Sequence, residues 1–310
     1  MFVRNCAFIK VLLHMSITTA SNLPKQAQIE DSLEIKNYER MPPFLMSLVS
    51  RDDLWTYVSS RGSLSAGRGS EDNIIFPYLT VDKIHDAYGT TGPRTLIRIK
   101  EASDATLWEP FAPHALDSAY SSRVLSKTAL SNDILFVEHS SNESLIFSYR
   151  WQPAGRFGLA RSVRIENQGT LPKRLSILDG VMNIMPPKID ARLQATRSTL
   201  VDAYKQSELL SDSRMAVFST ASGITDRPFP VENLYTNVAW SSGLKEATVT
   251  LAHDAAESMK GRKMPRKCDL SRGQRGSYWL HADIELAPGE SREWLMVLDC
   301  ELDAAELTSR

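Results

Sequence analysis

The sequence predicts a mainly β protein, a large antiparallel β-sandwich with one or two short helices. Three observations carry this. Short segments of apolar alternation run from Arg123 through Leu178 and return after Met215. Turn residues separate them, as at Asn167-Gln168-Gly169 and Pro288-Gly289-Glu290. No repeated strand–helix alternation is present, which argues against doubly wound and α/β-barrel architectures.

Taken in order, the first strand is expected over residues 54–58, after the helix-breaking Met41-Pro42-Pro43. The polar, glycine-punctuated stretch 63–92 reads as loop. Alternation resumes over 95–99, and an aromatic segment follows in which Trp108 and Phe111 flank Glu109-Pro110. Strands are then expected over 123–130, 134–138, 145–151, 159–166 and 171–178. Each turns alternate side chains toward a core about 10 Å thick. A helix is expected over 196–210, with Leu200, Tyr204 and Leu209 on one face. Further strands are expected over 215–219, 234–240, 247–251, 277–284 and 293–298. Residues 33–300 thus form the sandwich domain, after a flexible leader over 1–32 and before a terminal helix or linker stub over 301–310.

Composition narrows the functional classes. The 310 residues are 42% hydrophobic and 24% charged, as in ordinary globular proteins. The formal net charge of −1 gives no general attraction to a phosphate backbone, so no nucleic acid partner is expected. Lys260, Arg262, Lys263, Arg266 and Lys267, with Arg272 and Arg275 nearby, read as a solvated basic loop, the alternative being an anion site. The three cysteines, Cys6, Cys268 and Cys300, are too few and too far apart for a disulfide framework, which fits a reducing, cytoplasmic setting. Lys10 and His14 interrupt the apolar residues that an export signal needs. No run reaches the roughly 18 apolar residues of a membrane span.

The polar clusters assign no catalytic residue. Gly67 and Gly69 bracket Arg68, but no phosphate-loop motif is present; the loop instead presents Arg68, Asp72 and Asn73 at a sheet rim. Asp82, His85 and Asp86 on a helical turn admit a metal site, a ligand contact or local structure, with Asp82 capping the turn before Ile84. Five dispersed tryptophans read as core; Trp108, beside Glu109 and Pro110, reads as an apolar platform for a sugar. Glycosidase chemistry needs two spaced carboxylates, and neither Glu109 nor Asp179 has an assignable partner. There is no GxSxG elbow. No cofactor is expected.

Three segments carry a family resemblance: GSLSAGRGSEDNIIFPY, LWEPF, and FGLARSVRIENQGTLPKRLSILDGVMNIMPP. They resemble the amino-terminal, galactose-mutarotase-like β-supersandwich domain of cellobiose and chitobiose phosphorylases. The closest local match runs from Arg161 to Met185. The resemblance implies a domain that supports and walls the substrate channel of an α/α barrel, which holds the catalytic and phosphate-binding residues. It therefore transfers no catalytic residue to this chain.

The expected function is a noncatalytic carbohydrate-associated support or binding domain of a larger glycoside phosphorylase- or hydrolase-like protein. Its partners would be an oligosaccharide and a downstream α/α barrel or separate catalytic subunit. The alternatives are a complete carbohydrate-active enzyme, such as a sugar epimerase or lyase, and a structural protein-interaction module. If the two early loops converge, the ligand surface comprises Arg68, Asp72, Asn73, His85, Trp108 and Glu109. The competing reading pairs Asp72 with Arg68 and packs Trp108 inward.

Overall fold

A computed structural model of the chain describes residues 32–100, 105–113, 121–210, 213–224 and 233–309. The expected leader lies outside these residues apart from Ser32, as does Cys6.

The clean alternation of the central segments makes them inner strands. In β10 (Leu145–Pro153), Leu145, Phe147, Tyr149 and Trp151 are all buried. In β11 (Leu159–Asn167), Arg161, Val163 and Ile165 do the same. With β1 (Ser32–Lys36), β8 (Ser121–Thr128), β9 (Ile134–Ser140), β13 (Lys205–Leu209), β14 (Ala216–Thr220), β15 (Thr236–Ser242), β17 (Leu270–Arg272) and β19 (Ser291–Leu302), they build a ten-stranded sheet. Its order is β1-β8-β9-β10-β11-β19-β15-β14-β13-β17. Every pairing recorded in it is antiparallel, with Tyr149 opposite Phe136 and Val163 opposite Trp294.

A five-stranded sheet faces it: β16 (Thr248–Thr250), β18 (Gly276–Leu286), β12 (Lys173–Ile184), β6 (Gly92–Lys100) and β7 (Ala105–Trp108), in that order. One apolar core joins the two, with Phe147 and Trp294 from one sheet meeting Ile177 and Tyr278 from the other. At its centre lies an ion pair between sheets. Arg161 donates to both oxygens of Asp179 at 2.8 and 2.9 Å, and both side chains are fully buried. Thr95 Oγ1 and Trp294 Nε1 also donate to Asp179, each at 2.6 Å. Asp179 is thereby a structural anchor.

The stretch read as loop folds differently. It contains β4 (Leu64–Arg68), β5 (Ile74–Phe76) and the helix α1 (Val81–Asp86). With β2 (Leu45–Leu48) and β3 (Leu54–Ser59), these strands form a third sheet of order β2-β3-β4-β5. Leu64 through Gly67 are all buried, so their small and polar side chains hide the period-2 pattern. Gly67 is required there, because a Cβ would sit 2.5 Å from both the Asn73 carbonyl and the Trp55 ring.

The helix expected over 196–210 is shorter and earlier. It comprises α2 (Ala191–Thr196) and α3 (Ser198–Tyr204), after which β13 pairs with β14 and β17. Lys205 and Ser207 point inward on that strand, and the buried helical residue is Val201, not the exposed Leu200. A further helix, α4 (Ala255–Lys260), packs Ala255, Ala256 and Met259 against Trp279. The terminal helix is α5 (Ala304–Thr308), closed by an Asp303–Glu306 capping box. No helix among the described residues is long and apolar enough to cross a membrane.

Candidate functional site

Three chain segments meet at one rim of the sandwich: the β4–β5 turn, the exit from β12, and the end of β19. Asn237 on β15 fastens them. Its amide donates to the carbonyls of Ile74 and Met185 at 2.7 Å each, and its oxygen accepts from the Glu301 amide at 2.9 Å. Asn237 is fully buried, so each of these bonds replaces one that water cannot supply.

Glu301 is the centre of the rim. One carboxylate oxygen accepts a hydrogen bond from Lys188 Nζ, and the other accepts from the Asn73 amide at 2.6 Å. Lys188 also lies 4.9 Å from the centre of the Tyr235 ring. Arg68 donates to Asp299 at 2.9 Å and to the Asp52 carbonyl at 2.9 Å. Burial acts to lower the Arg68 pKa, but the charge and hydrogen bond of Asp299 outweigh it and raise the value. Asp72 accepts from the Ala191 amide at 2.7 Å. Glu301 and Lys188 both have left-handed backbones, with φ of 63° and 58°. That conformation costs a non-glycine residue on the order of 1–3 kcal/mol and clusters at functional sites.

An aromatic row adjoins this rim. Trp55 on β3 lies between Tyr57 and Tyr78, with ring centres 6.1 and 5.7 Å away. Trp55 packs against the cluster of Ile74, Met185 and Ile189, in which Ile74 follows Asn73 and Ile189 follows Lys188. Its indole N–H reaches the Ser70 carbonyl at 3.4 Å, in the turn that carries Asp72 and Asn73. Tyr57 and Tyr78 are exposed.

Of the six residues expected to form one surface, the structure brings together Arg68, Asp72 and Asn73. The other three have separate partners. His85 Nδ1 is 2.8 Å from Ser59 Oγ, and burial, helped by the charge of Arg61, lowers its pKa. Glu109 is buried between Arg94 Nε and Lys260 Nζ, each at 2.8 Å, with Tyr88 Oη at 3.3 Å. Burial would raise the Glu109 pKa, but the hydrogen bonds and charges of those cations hold it below the usual range.

Trp108 is not an exposed platform. It is a buried residue whose indole N–H donates to Glu138 at 3.2 Å and whose ring meets Phe147 edge-on. Pairing with Ile97 on β6 turns it inward. Arg68 pairs with Asp299, not with Asp72. Asp82 does not cap α1, whose N-cap is Thr80. Among the described residues no cluster of three or more His, Cys, Asp or Glu side chains could hold a metal ion.

The sequence reading missed Lys188, Asn237, Asp299 and Glu301. The available signal was Asp299 and Glu301 at the end of β19, two acids at strand period directly after the unbroken apolar run over 294–298.

No protein-family model and no curated protein matches this sequence. Solved structures similar to the chain include a polysaccharide lyase, at 11% identity and a TM-score of 0.43, with 84% of this chain matched. The chain spans 33% of that lyase's length. A galactose mutarotase-like protein from Lactobacillus casei ATCC 334 is 10% identical with a TM-score of 0.42, covering 83% of this chain and 100% of its own. Another, from Clostridium acetobutylicum, is 9% identical with a TM-score of 0.38, over 83% of this chain and 98% of its own.

Proposed function

We propose that this chain is a noncatalytic carbohydrate-binding domain of a larger carbohydrate-active protein. In this reading its sugar surface is the rim of Arg68, Asp72, Asn73, Lys188 and Glu301. The observation that carries the reading is the Tyr57–Trp55–Tyr78 row abutting that rim. A pyranose has an apolar face and an edge of hydroxyls. The rings would take the face, while the Glu301 carboxylate and the Lys188 ammonium, side by side, would accept from and donate to neighbouring hydroxyls. The catalytic residues would then lie in a downstream α/α barrel or a separate subunit, as the sequence resemblance implies.

The carboxylates support binding over catalysis. Both oxygens of Glu301 are hydrogen-bonded, Asp299 is buried against Arg68, and Asp72 accepts from a backbone amide. Each holds the rim together. A complete sugar-converting enzyme, an epimerase for example, is the second reading. It is favoured by the paired left-handed conformations of Glu301 and Lys188.

The test is calorimetric titration with a panel of monosaccharides and oligosaccharides, run beside polarimetry and product analysis. Binding that falls at least tenfold in Trp55→Ala and Lys188→Met, without turnover, is the expected result. Turnover in the wild type that disappears in a folded Glu301→Gln variant would replace this reading with the enzymatic one. Absence of binding to every sugar would defeat both.

A further inference from the structure

A cavity of about 200 Å³ opens where the turn between β3 and β4 meets β8, β9 and β10 of the ten-stranded sheet. Its mouth is exposed, at Met41, Pro43, Arg61 and Pro113. Its floor is buried and mostly aromatic: Tyr38, Phe111, Arg123, Phe136 and Tyr149. Tyr149 stacks on Phe136 at 4.8 Å and meets Phe111 edge-on at 5.2 Å, and Tyr38 closes edge-on on Phe136 at 5.9 Å. One carboxylate fixes two of these walls. Glu138, fully buried, accepts from the Phe111 amide at 2.6 Å and from Arg123 Nε at 2.7 Å. Gly62 keeps the space open, since a Cβ there would lie 3.2 Å from the Tyr149 hydroxyl.

The floor offers hydrogen-bond donors. Tyr38 and Tyr149 are only 4% and 3% exposed, yet among the described residues neither hydroxyl has a hydrogen-bond partner. Neither oxygen is sealed off from solvent, so both open into the cavity that their side chains line. Burial raises the pKa of both phenols, which keeps them protonated. Arg123 spends Nε on Glu138 and Nη2 on the Ala112 carbonyl, which leaves Nη1. Donors left unmet in an apolar recess select a guest that brings an acceptor oxygen.

Charge and size narrow the guest. A cation finds no free ring face: the Arg123 and Arg161 guanidiniums already lie over Phe111 and Tyr149, 5.8 and 4.8 Å from the ring centres, and Arg61 and Arg123 line the space. An anion would meet the Glu39 carboxylate in the same lining. A neutral guest remains. An apolar cavity of roughly 150 Å³ holds benzene, so this one has room for a single ring with an oxygen substituent. Such a ring can meet the aromatic walls edge to face.

We propose that this cavity binds a neutral, hydroxylated single-ring aromatic compound, whose oxygen accepts from the Tyr38 and Tyr149 hydroxyls and whose ring packs against Phe111 and Phe136. The site is independent of the sugar reading.

Phenol, titrated into the full chain at neutral pH and followed by two-dimensional NMR, tests it. The controls are toluene, which has the ring without the oxygen, and glycerol, which has oxygens without the ring. Saturable shifts at Tyr38, Phe111 and Tyr149 are expected with phenol, and weaker binding of both controls. Since neither hydroxyl is bonded within the described chain, Tyr38→Phe and Tyr149→Phe should keep the fold, checked by the unchanged remainder of the spectrum. Each should weaken phenol by about threefold, and the double variant by about tenfold, as one neutral hydrogen bond apiece predicts. Toluene affinity should not change. Unaltered phenol affinity in the double variant, glycerol binding more tightly than phenol, or no shift at the cavity residues would each overturn the proposal. If the double variant fails to fold, competition in the wild type gives the same reading: toluene binding as tightly as phenol would remove any role for the two hydroxyls.

Discussion

Asp179→Asn isolates what the buried ion pair contributes. The substitution keeps the shape of the side chain and removes its charge. Asp179 accepts four hydrogen bonds, two from Arg161 and one each from Thr95 and Trp294. Asparagine has a single acceptor oxygen, so its amide must face donors on one side. Arg161, fully buried, is left with no carboxylate. Breaking a buried pair from one end costs about 3–5 kcal/mol, because the remaining charge stays uncompensated. Against a total stability of about 5–15 kcal/mol this is a large fraction. At about 2–4 °C per kcal/mol for a large domain, Tm should fall by on the order of 10 °C. Thermal and urea unfolding followed by circular dichroism measure it. The double variant Arg161→Met/Asp179→Leu should recover part of the loss, since an apolar pair removes the charge problem but leaves Thr95 and Trp294 without an acceptor. An Asp179→Asn protein that unfolds at the wild-type temperature would refute the reasoning.

Asp133 is pushed up to about 6 by burial, which Arg150 and Gln152 only partly offset. The folded state therefore binds a proton more readily than the unfolded one, and stability falls as pH rises from about 4 to about 6. Asp133→Asn should raise stability by about 1 kcal/mol at neutral pH, after allowance for the lost Arg150 contact, with no gain near pH 4 in parallel urea titrations. Gly67→Ala should cost about 1–3 kcal/mol by overpacking against Trp55 and the Asn73 carbonyl, read as a lower urea midpoint. Burial pushes the Cys300 thiol up to about 12, so alkylation at pH 8 followed by peptide mass spectrometry should label Cys300 only after denaturation.

Strands with one apolar face were legible because their period survives in the sequence, as along β10 and β11. β4 was not, since Leu64-Ser65-Ala66-Gly67 is buried on both sides and needs no alternation. β13 was read as helix because Lys205-Gln206-Ser207-Glu208-Leu209 continues a helical segment; pairing with β14 decides it, and pairing is nonlocal. The site divides in the same way. Arg68, Asp72 and Asn73 stand out in a glycine-flanked turn. Their partners do not, because Asn73 meets Glu301 across 228 residues and Lys188 meets it across 113. Trp108 was misplaced because Glu138, which takes its indole proton, lies 30 residues away.

The strain at the rim and the order in the core belong to one arrangement. A left-handed Glu301 would relax toward extended backbone if its neighbours allowed it. They do not: its amide is bonded to Asn237, and its carboxylate to Lys188 and Asn73. Asn237 in turn clamps β5 and the exit of β12, which enter the core through Ile74, Ile75 and Val181. The preceding residues of β19 are fixed as well, Trp294 by Asp179 and Asp299 by Arg68. Loosening Asn237 should therefore relax Glu301 and Lys188 together, and the directional groups of the rim would lose their common orientation before the sandwich lost its fold.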